Sequence, residues 1–133
     1  MNVTDFNKVI EKRIELIKSI MLSKGKEYST DSDKFHNFKQ SVGISFHTCP
    51  EKIAWEFATK HFQSIKDTLD SVDNGAVNFT DKYIEEKIGD AINYLILIEG
   101  MLKERLYDKC IDNWYILPIT VAAIFSADLE TKN

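Results

Sequence analysis

From Thr4 to Lys24 apolar residues return every three or four positions, at Phe6, Val9, Ile10, Ile14, Ile17, Ile20 and Met21. Lys, Glu and Arg fill the gaps. That spacing predicts an amphipathic helix, with Gly25 as its stop. Polar, turn-like residues run on to Asp33, and a shorter helix is expected from Asp33 to about Val42. Thr48-Cys49-Pro50-Glu51 then reads as a helix start, with Thr48 as the cap and Pro50 in the first turn. The helix it opens runs to about Val72 along the stripe Ala54, Phe57, Ala58, His61, Phe62, Ile65, Leu69 and Val72, and Asp73-Asn74-Gly75 ends it. Thr80 or Asp81 caps the next one, which reaches Tyr107 or beyond through Ile84, Ile88, Ala91, Leu95, Ile98 and Leu102. Three long helices, one short one and no hairpin predict an all-α fold, an antiparallel helical bundle with short connections.

The 133 residues suit a single helical domain. Residues 111–133 stand apart, because the apolar run from Trp114 to Phe125 reads equally as a helix, a strand or an arm buried on another subunit. That run is too short to cross a bilayer as a helix, and Pro118 breaks it. The N-terminus shows no charged region followed by an apolar run, so a soluble, cytoplasmic protein is expected. Cys49 and Cys110 match no metal or redox spacing and are expected to be reduced thiols. A net charge of −4 argues against a general duplex-DNA binder. It leaves room for a small anion held by a local group of cations.

The chemistry lies where polar residues interrupt apolar helix. Glu86, Asp90 and Asn93 share one helical face just before Leu95-Ile96-Leu97-Ile98. Carboxylates one turn apart suit a hard divalent cation, Mg²⁺ or Mn²⁺, that keeps waters for phosphate oxygens to replace. The plainer account is that Glu86 is solvated and that Asp90 and Asn93 hydrogen-bond a neighbouring helix. Lys60, His61 and Ser64 form a second group on one turn, a cation, an imidazole and a hydroxyl fit for a phosphate. A lone histidine in an apolar stripe is otherwise an interior residue with its hydrogen bonds met. The segment from Lys24 through Phe38 supplies a third group. There His36 and Asn37 are candidate ligand contacts, and Tyr28 or Phe38 could stack on a base. Its plainer reading is a polar connection whose Phe35 and Phe38 dock on the core.

Lys24-Gly25-Lys26-Glu27-Tyr28, His36-Asn37-Phe38, Trp55 with Lys60-His61, Ser64 to Asp67 and Glu86 through Leu95 together resemble a group of small phage-encoded proteins. That group is placed with MazG-like and nucleotide-modification-associated domains, and the likeness covers about Lys24 to Glu104. It implies an all-α nucleoside triphosphate pyrophosphohydrolase type of bundle that assembles as dimers or tetramers. It also implies Asp90 and Glu86 as metal ligands and Lys60 near the phosphates. The sequence departs from the enzymes in lacking an E-x-x-E pair on the helix from Glu51 to Val72, and Lys87 stands three before Asp90 where they carry Glu.

The resulting expectation is a metal-assisted nucleotide-binding protein that cleaves a (d)NTP between its α- and β-phosphates. Glu86 and Asp90 hold the metal, His61 and His36 act as ligands or proton carriers, and Lys60, Ser64, Asn37, Tyr28 and Asn93 contact the substrate. The rival is a non-catalytic phage protein in the host cytoplasm that sequesters a nucleotide signal or occupies a host protein. A His/Asp phosphohydrolase built on His36, His61 and Asp90, or polar residues that only fix helix register, complete the alternatives.

Overall fold

The computed structural model describes residues 1–23, 30 and 32–114, with side chains to residue 108. Among them every regular element is a helix: α1 (Val3–Ser23), α2 (His36–Val42), α3 (Pro50–Asp73) and α4 (Asp81–Trp114). The expected all-α class holds. The chain divides into two compact units, Met1–Met101 and Leu102–Asn133, and α4 runs through the division. The helix packing and the cleft belong to the first unit. Gly25, Tyr28 and the rest of residues 24–29, Asp31 and the stretch after Trp114 lie outside the described residues.

The caps explain the boundaries. Asp33 Oδ1 accepts the Phe35 N–H at 2.9 Å, and the carboxylate lies within 3.1–3.2 Å of Lys39 Nζ, so this side chain holds the start of α2 from three residues upstream. Those contacts, the Phe35 N–H first and Lys39 after it, keep the Asp33 carboxyl below the ordinary range. The residue before α3 is Cys49, in extended conformation and without a side-chain cap bond, and Pro50 takes the first helical position. The cap expected of Thr48 is therefore one residue off; Pro50 fixes the first turn through its own ring. Thr80 does cap α4, its hydroxyl accepting the Tyr83 N–H at 3.2 Å. Gly75 ends α3 with φ 75°, while the Ala76 N–H bonds back to the Ser71 carbonyl at 2.9 Å. A side chain there would cost backbone strain.

Pairs across the helices give their directions. Thr68 Oγ1 lies 3.4 Å from Tyr83 Oη, and His61 Nδ1 lies 3.3 Å from Asp90 Oδ2. Contacts that descend α3 while climbing α4 make those two helices antiparallel. Arg13 donates to the Glu85 carbonyl at 3.0 Å, and Lys12 pairs with Glu85, which ties α1 to the first turns of α4. Phe38 of α2 meets Phe57 of α3 with ring centroids 6.3 Å apart.

The core is narrow. Ile53, Ala54, Ala58, Ala91 and Met101 are its buried apolar residues, and Gly89 is buried beside them. Small side chains let helices approach closely, and Ile53 and Met101 fill what remains. The apolar stripe read along α3 is only partly interior: Phe57, Leu69 and Val72 are 46, 62 and 45% exposed, whereas Ile53, outside that stripe, is 1% exposed. A helix facing a short α2 on one side and α4 on another buries a shifted arc. No residue of α1 is buried, and Phe6, Val9, Ile10 and Ile14 stay 44–54% exposed along its apolar stripe.

Truncating Ile53 to Ala removes one of the two large, fully buried side chains among the described residues and is expected to destabilise the fold by about 3 kcal/mol. Thr80→Ala loses one cap bond and should cost about 1 kcal/mol. Urea denaturation of the two variants beside the parent checks both the values and their order.

Candidate functional site

Where α1 ends, α2 passes over the α3–α4 seam and leaves a cleft of about 340 Å³. Ile20, Met21, Phe38, Phe57, Tyr94 and Leu97 give it apolar walls, and Lys34, Asn37, Ser41, Lys60, His61, Asp90 and Asn93 supply polar groups. The size, and apolar walls with polar groups converging between them, are those of small-molecule sites.

His61 and Asp90 face each other across the seam. The His61 side chain is 14% exposed and that of Asp90 36%. The Tyr94 ring lies against the imidazole, centroid to centroid 5.2 Å. Burial pushes the His61 imidazole below its ordinary pKa; Asp90 pulls it up, and Lys60 and Lys87 push it down again. The balance favours the neutral imidazole. A carboxylate beside Nδ1 favours the tautomer with its proton there, which leaves a lone pair on Nε2. That nitrogen can take a proton or hold a cation.

Two lysines line the same cleft. Lys60, one residue before His61 on α3, makes no ion pair among the described residues, and its exposed ammonium borders the cleft. Lys34 borders it from the loop before α2 and donates to the Met21 carbonyl near the end of α1 at 3.0 Å. Among the described residues the lining carries two lysines and one carboxylate, a local excess of positive charge on an acidic protein. Asn93 sits on the same side of α4, one turn beyond Asp90. It is 8% exposed, and its Oδ1 is buried without a hydrogen-bond partner.

The structure thus gathers Asn37, Lys60, His61, Asp90 and Asn93 from the sequence candidates. The others lie elsewhere. Ser64 does not line the cleft; its hydroxyl donates to the Lys60 carbonyl at 3.0 Å. His36 opens α2 and is not on the lining either. Glu86 is exposed, accepts a hydrogen bond from Lys87 Nζ at 2.9 Å and is held below the ordinary carboxylate pKa by it. Sharing a helical face with Asp90 does not bring the two carboxylates into one cleft. Tyr28 is outside the described residues. Lys34, Ser41 and Phe57 are lining residues that spacing did not single out. Ser41 comes one turn of α2 after Asn37, which was a usable signal; Phe57 was hidden inside an apolar stripe.

Among the described residues no three His, Cys, Asp or Glu side chains gather as a metal cage. The cleft itself offers Asp90 and His61. One carboxylate is within what a phosphate-bound Mg²⁺ draws from protein, since phosphate oxygens and waters complete its shell.

Compared with family models, curated proteins and solved structures, the chain matches none of them. What the cleft can do is therefore read from its own geometry.

Because folding lowers the His61 pKa, the unfolded chain binds that proton more readily. Stability present above the unfolded value, about 6.5, is then lost as the pH falls toward the folded value. The urea midpoint of the parent should drop more between about pH 7.5 and 5 than that of His61→Gln. Equal slopes would show that His61 titrates alike in both states.

Proposed function

We propose that this chain binds a nucleoside phosphate in the cleft between α2, α3 and α4. The observation that carries the reading is the meeting, in one volume, of two lysines, a neutral His61 backed by Asp90, and an aromatic wall from Phe38 and Phe57. Phosphate charge suits Lys34 and Lys60, and a base suits the aromatic side. The dimensions favour a mononucleotide over a longer ligand.

The chemistry that goes with the MazG-like resemblance is pyrophosphohydrolysis. Water attacks the α-phosphorus, the bond to the bridging oxygen breaks, and a nucleoside monophosphate and pyrophosphate leave. His61 Nε2 is the group placed to accept the proton of the water, with Asp90 steadying the imidazolium that forms. Lys60 neutralises charge on the phosphates. Mg²⁺ or Mn²⁺ would be held by Asp90 and phosphate oxygens, and its contribution when bound is to stabilise the negative charge of the leaving group.

A second reading has its own support. Glu86 is tied to Lys87 at the surface, and among the described residues Asp90 is the one carboxylate on the cleft lining. A site so short of acidic ligands suits a protein that sequesters its nucleotide without turning it over. In either case a homo-oligomer is part of the proposal. The apolar stripe of α1, open at Phe6, Val9, Ile10 and Ile14, is a surface that a second copy would cover. A host protein is the other occupant of that surface.

Thermal unfolding against nucleoside triphosphates and monophosphates, with and without Mg²⁺ or Mn²⁺, tests the binding. A ligand at about a hundred times its Kd stabilises by about 2.7 kcal/mol, a shift of several degrees in Tm for a chain of this size. Lys60→Ala should weaken that shift. Pyrophosphate release that is lost in Asp90→Ala establishes the hydrolase, whereas a shift without product establishes the sequestering protein. No shift with any nucleotide removes both.

A further inference from the structure

The cleft holds one polar atom that the folded chain leaves unserved. Asn93 Oδ1 is buried and accepts no hydrogen bond among the described residues, on a residue 8% exposed that lines the cleft. Its neighbours on α4 are served differently. Asp90, one turn before, has His61 beside it at 3.3 Å, and Leu97, one turn after, needs no partner. A carbonyl shut away from water without a donor carries a desolvation penalty that a fold avoids unless a partner arrives later. A leucine at position 93 would fill nearly the same volume in the apolar seam without that penalty. The position therefore carries a polar group where packing alone asks for none.

We infer that Asn93 is the residue that reads the base: its side-chain carbonyl accepts an N–H from the ring edge of the bound nucleotide. This rests on the nucleoside phosphate reading above and deepens it, since it divides the work within the cleft. Lys34 and Lys60 act on the phosphate end, which every nucleotide shares. Asn93 acts on the base, which distinguishes one nucleotide from another. The ligand it selects presents an exocyclic amine or a ring N–H toward α4. Analogues offering only acceptors or methyl groups there leave the carbonyl unserved and are refused. Water does not reach this oxygen in the ligand-free cleft, so the Asn93 amide must turn about its own axis to present it to the base. The side chain needs no rearrangement of charge to do this, because an amide is neutral beside Asp90 and His61.

Calorimetric titration of the parent and Asn93→Leu with the four common nucleoside 5′-monophosphates and with ribose 5-phosphate tests the assignment. Monophosphates bind without being consumed, and ribose 5-phosphate carries the phosphate without the base. For the tightest-binding nucleotide, Asn93→Leu is expected to lose about tenfold or more in affinity. Its affinity for ribose 5-phosphate should not change, and its Tm without ligand should equal or exceed that of the parent. The parent itself supplies the complementary measurement, independent of how the variant folds. An analogue of that nucleotide whose base N–H groups are methylated should bind about tenfold more weakly, with ribose 5-phosphate as the reference. Equal losses for nucleotide and ribose 5-phosphate in Asn93→Leu would put Asn93 at the phosphate or sugar and overturn the assignment. So would a lowered Tm with unchanged nucleotide affinity, which would make Asn93 a structural residue. In both cases nucleotide binding by the parent survives. If the parent binds neither nucleotides nor ribose 5-phosphate, the nucleotide reading falls and the role of Asn93 falls with it.

Discussion

An imidazole and a carboxylate meet on the seam between two antiparallel helices, and the character of the first unit depends on how that meeting is accommodated. Partial burial disfavours a protonated His61, and the adjacent Asp90 opposes that without reversing it. A polar pair of this kind is tolerated because one side of the seam is not closed by packing. α2 is only seven residues long and covers α3 chiefly through Phe38 on Phe57, so a cleft remains beside the pair.

Around that cleft the packing is arranged for close approach more than for bulk. Ala54, Ala58, Gly89 and Ala91 carry little side chain. Gly100 does the same for α2: a Cβ there would stand 2.6 Å from the Phe35 ring, in the residue that precedes His36. Asp33 then anchors the start of α2 through Phe35 and Lys39, and Lys34 fastens the same loop to the Met21 carbonyl. Asn37, Phe38 and Ser41 owe their places on the lining to this chain of short contacts. The electrostatics arise from the same placement. The acidic residues of the chain outnumber the basic ones, yet among the described residues the cleft receives Lys34 and Lys60 against Asp90 alone.

Much of this is legible in the sequence. Helix periodicity locates α1, α3 and α4 to within a residue or two at most of their ends, because an amphipathic stripe repeats many times over a long helix. The polar interruptions at Lys60-His61 and Asp90-Asn93 point to the seam that the fold builds, since a polar side chain inside apolar helix must find a partner or a ligand there. Glu86 is less legible. Four residues from Asp90 on one helix means a shared face, but a face spans wide enough for one carboxylate to border a cleft and the other to pair with Lys87 in solvent. Phe57 misleads in the opposite sense, because an apolar residue in an apolar stripe looks like core whether or not another helix covers it.

The sequence alone determined the helical class and the caps at Thr80 and Gly75, since these depend on neighbours a few positions apart. It also determined the net charge of −4. Tertiary structure decided which polar residues share a cleft, that His61 faces Asp90, that Asn93 Oδ1 goes without a donor, and that the apolar stripe of α1 stays open. Those depend on the angle and depth at which whole helices pack. Local periodicity gives the direction of a side chain around its own helix axis, and nothing in it records the distance to the next helix.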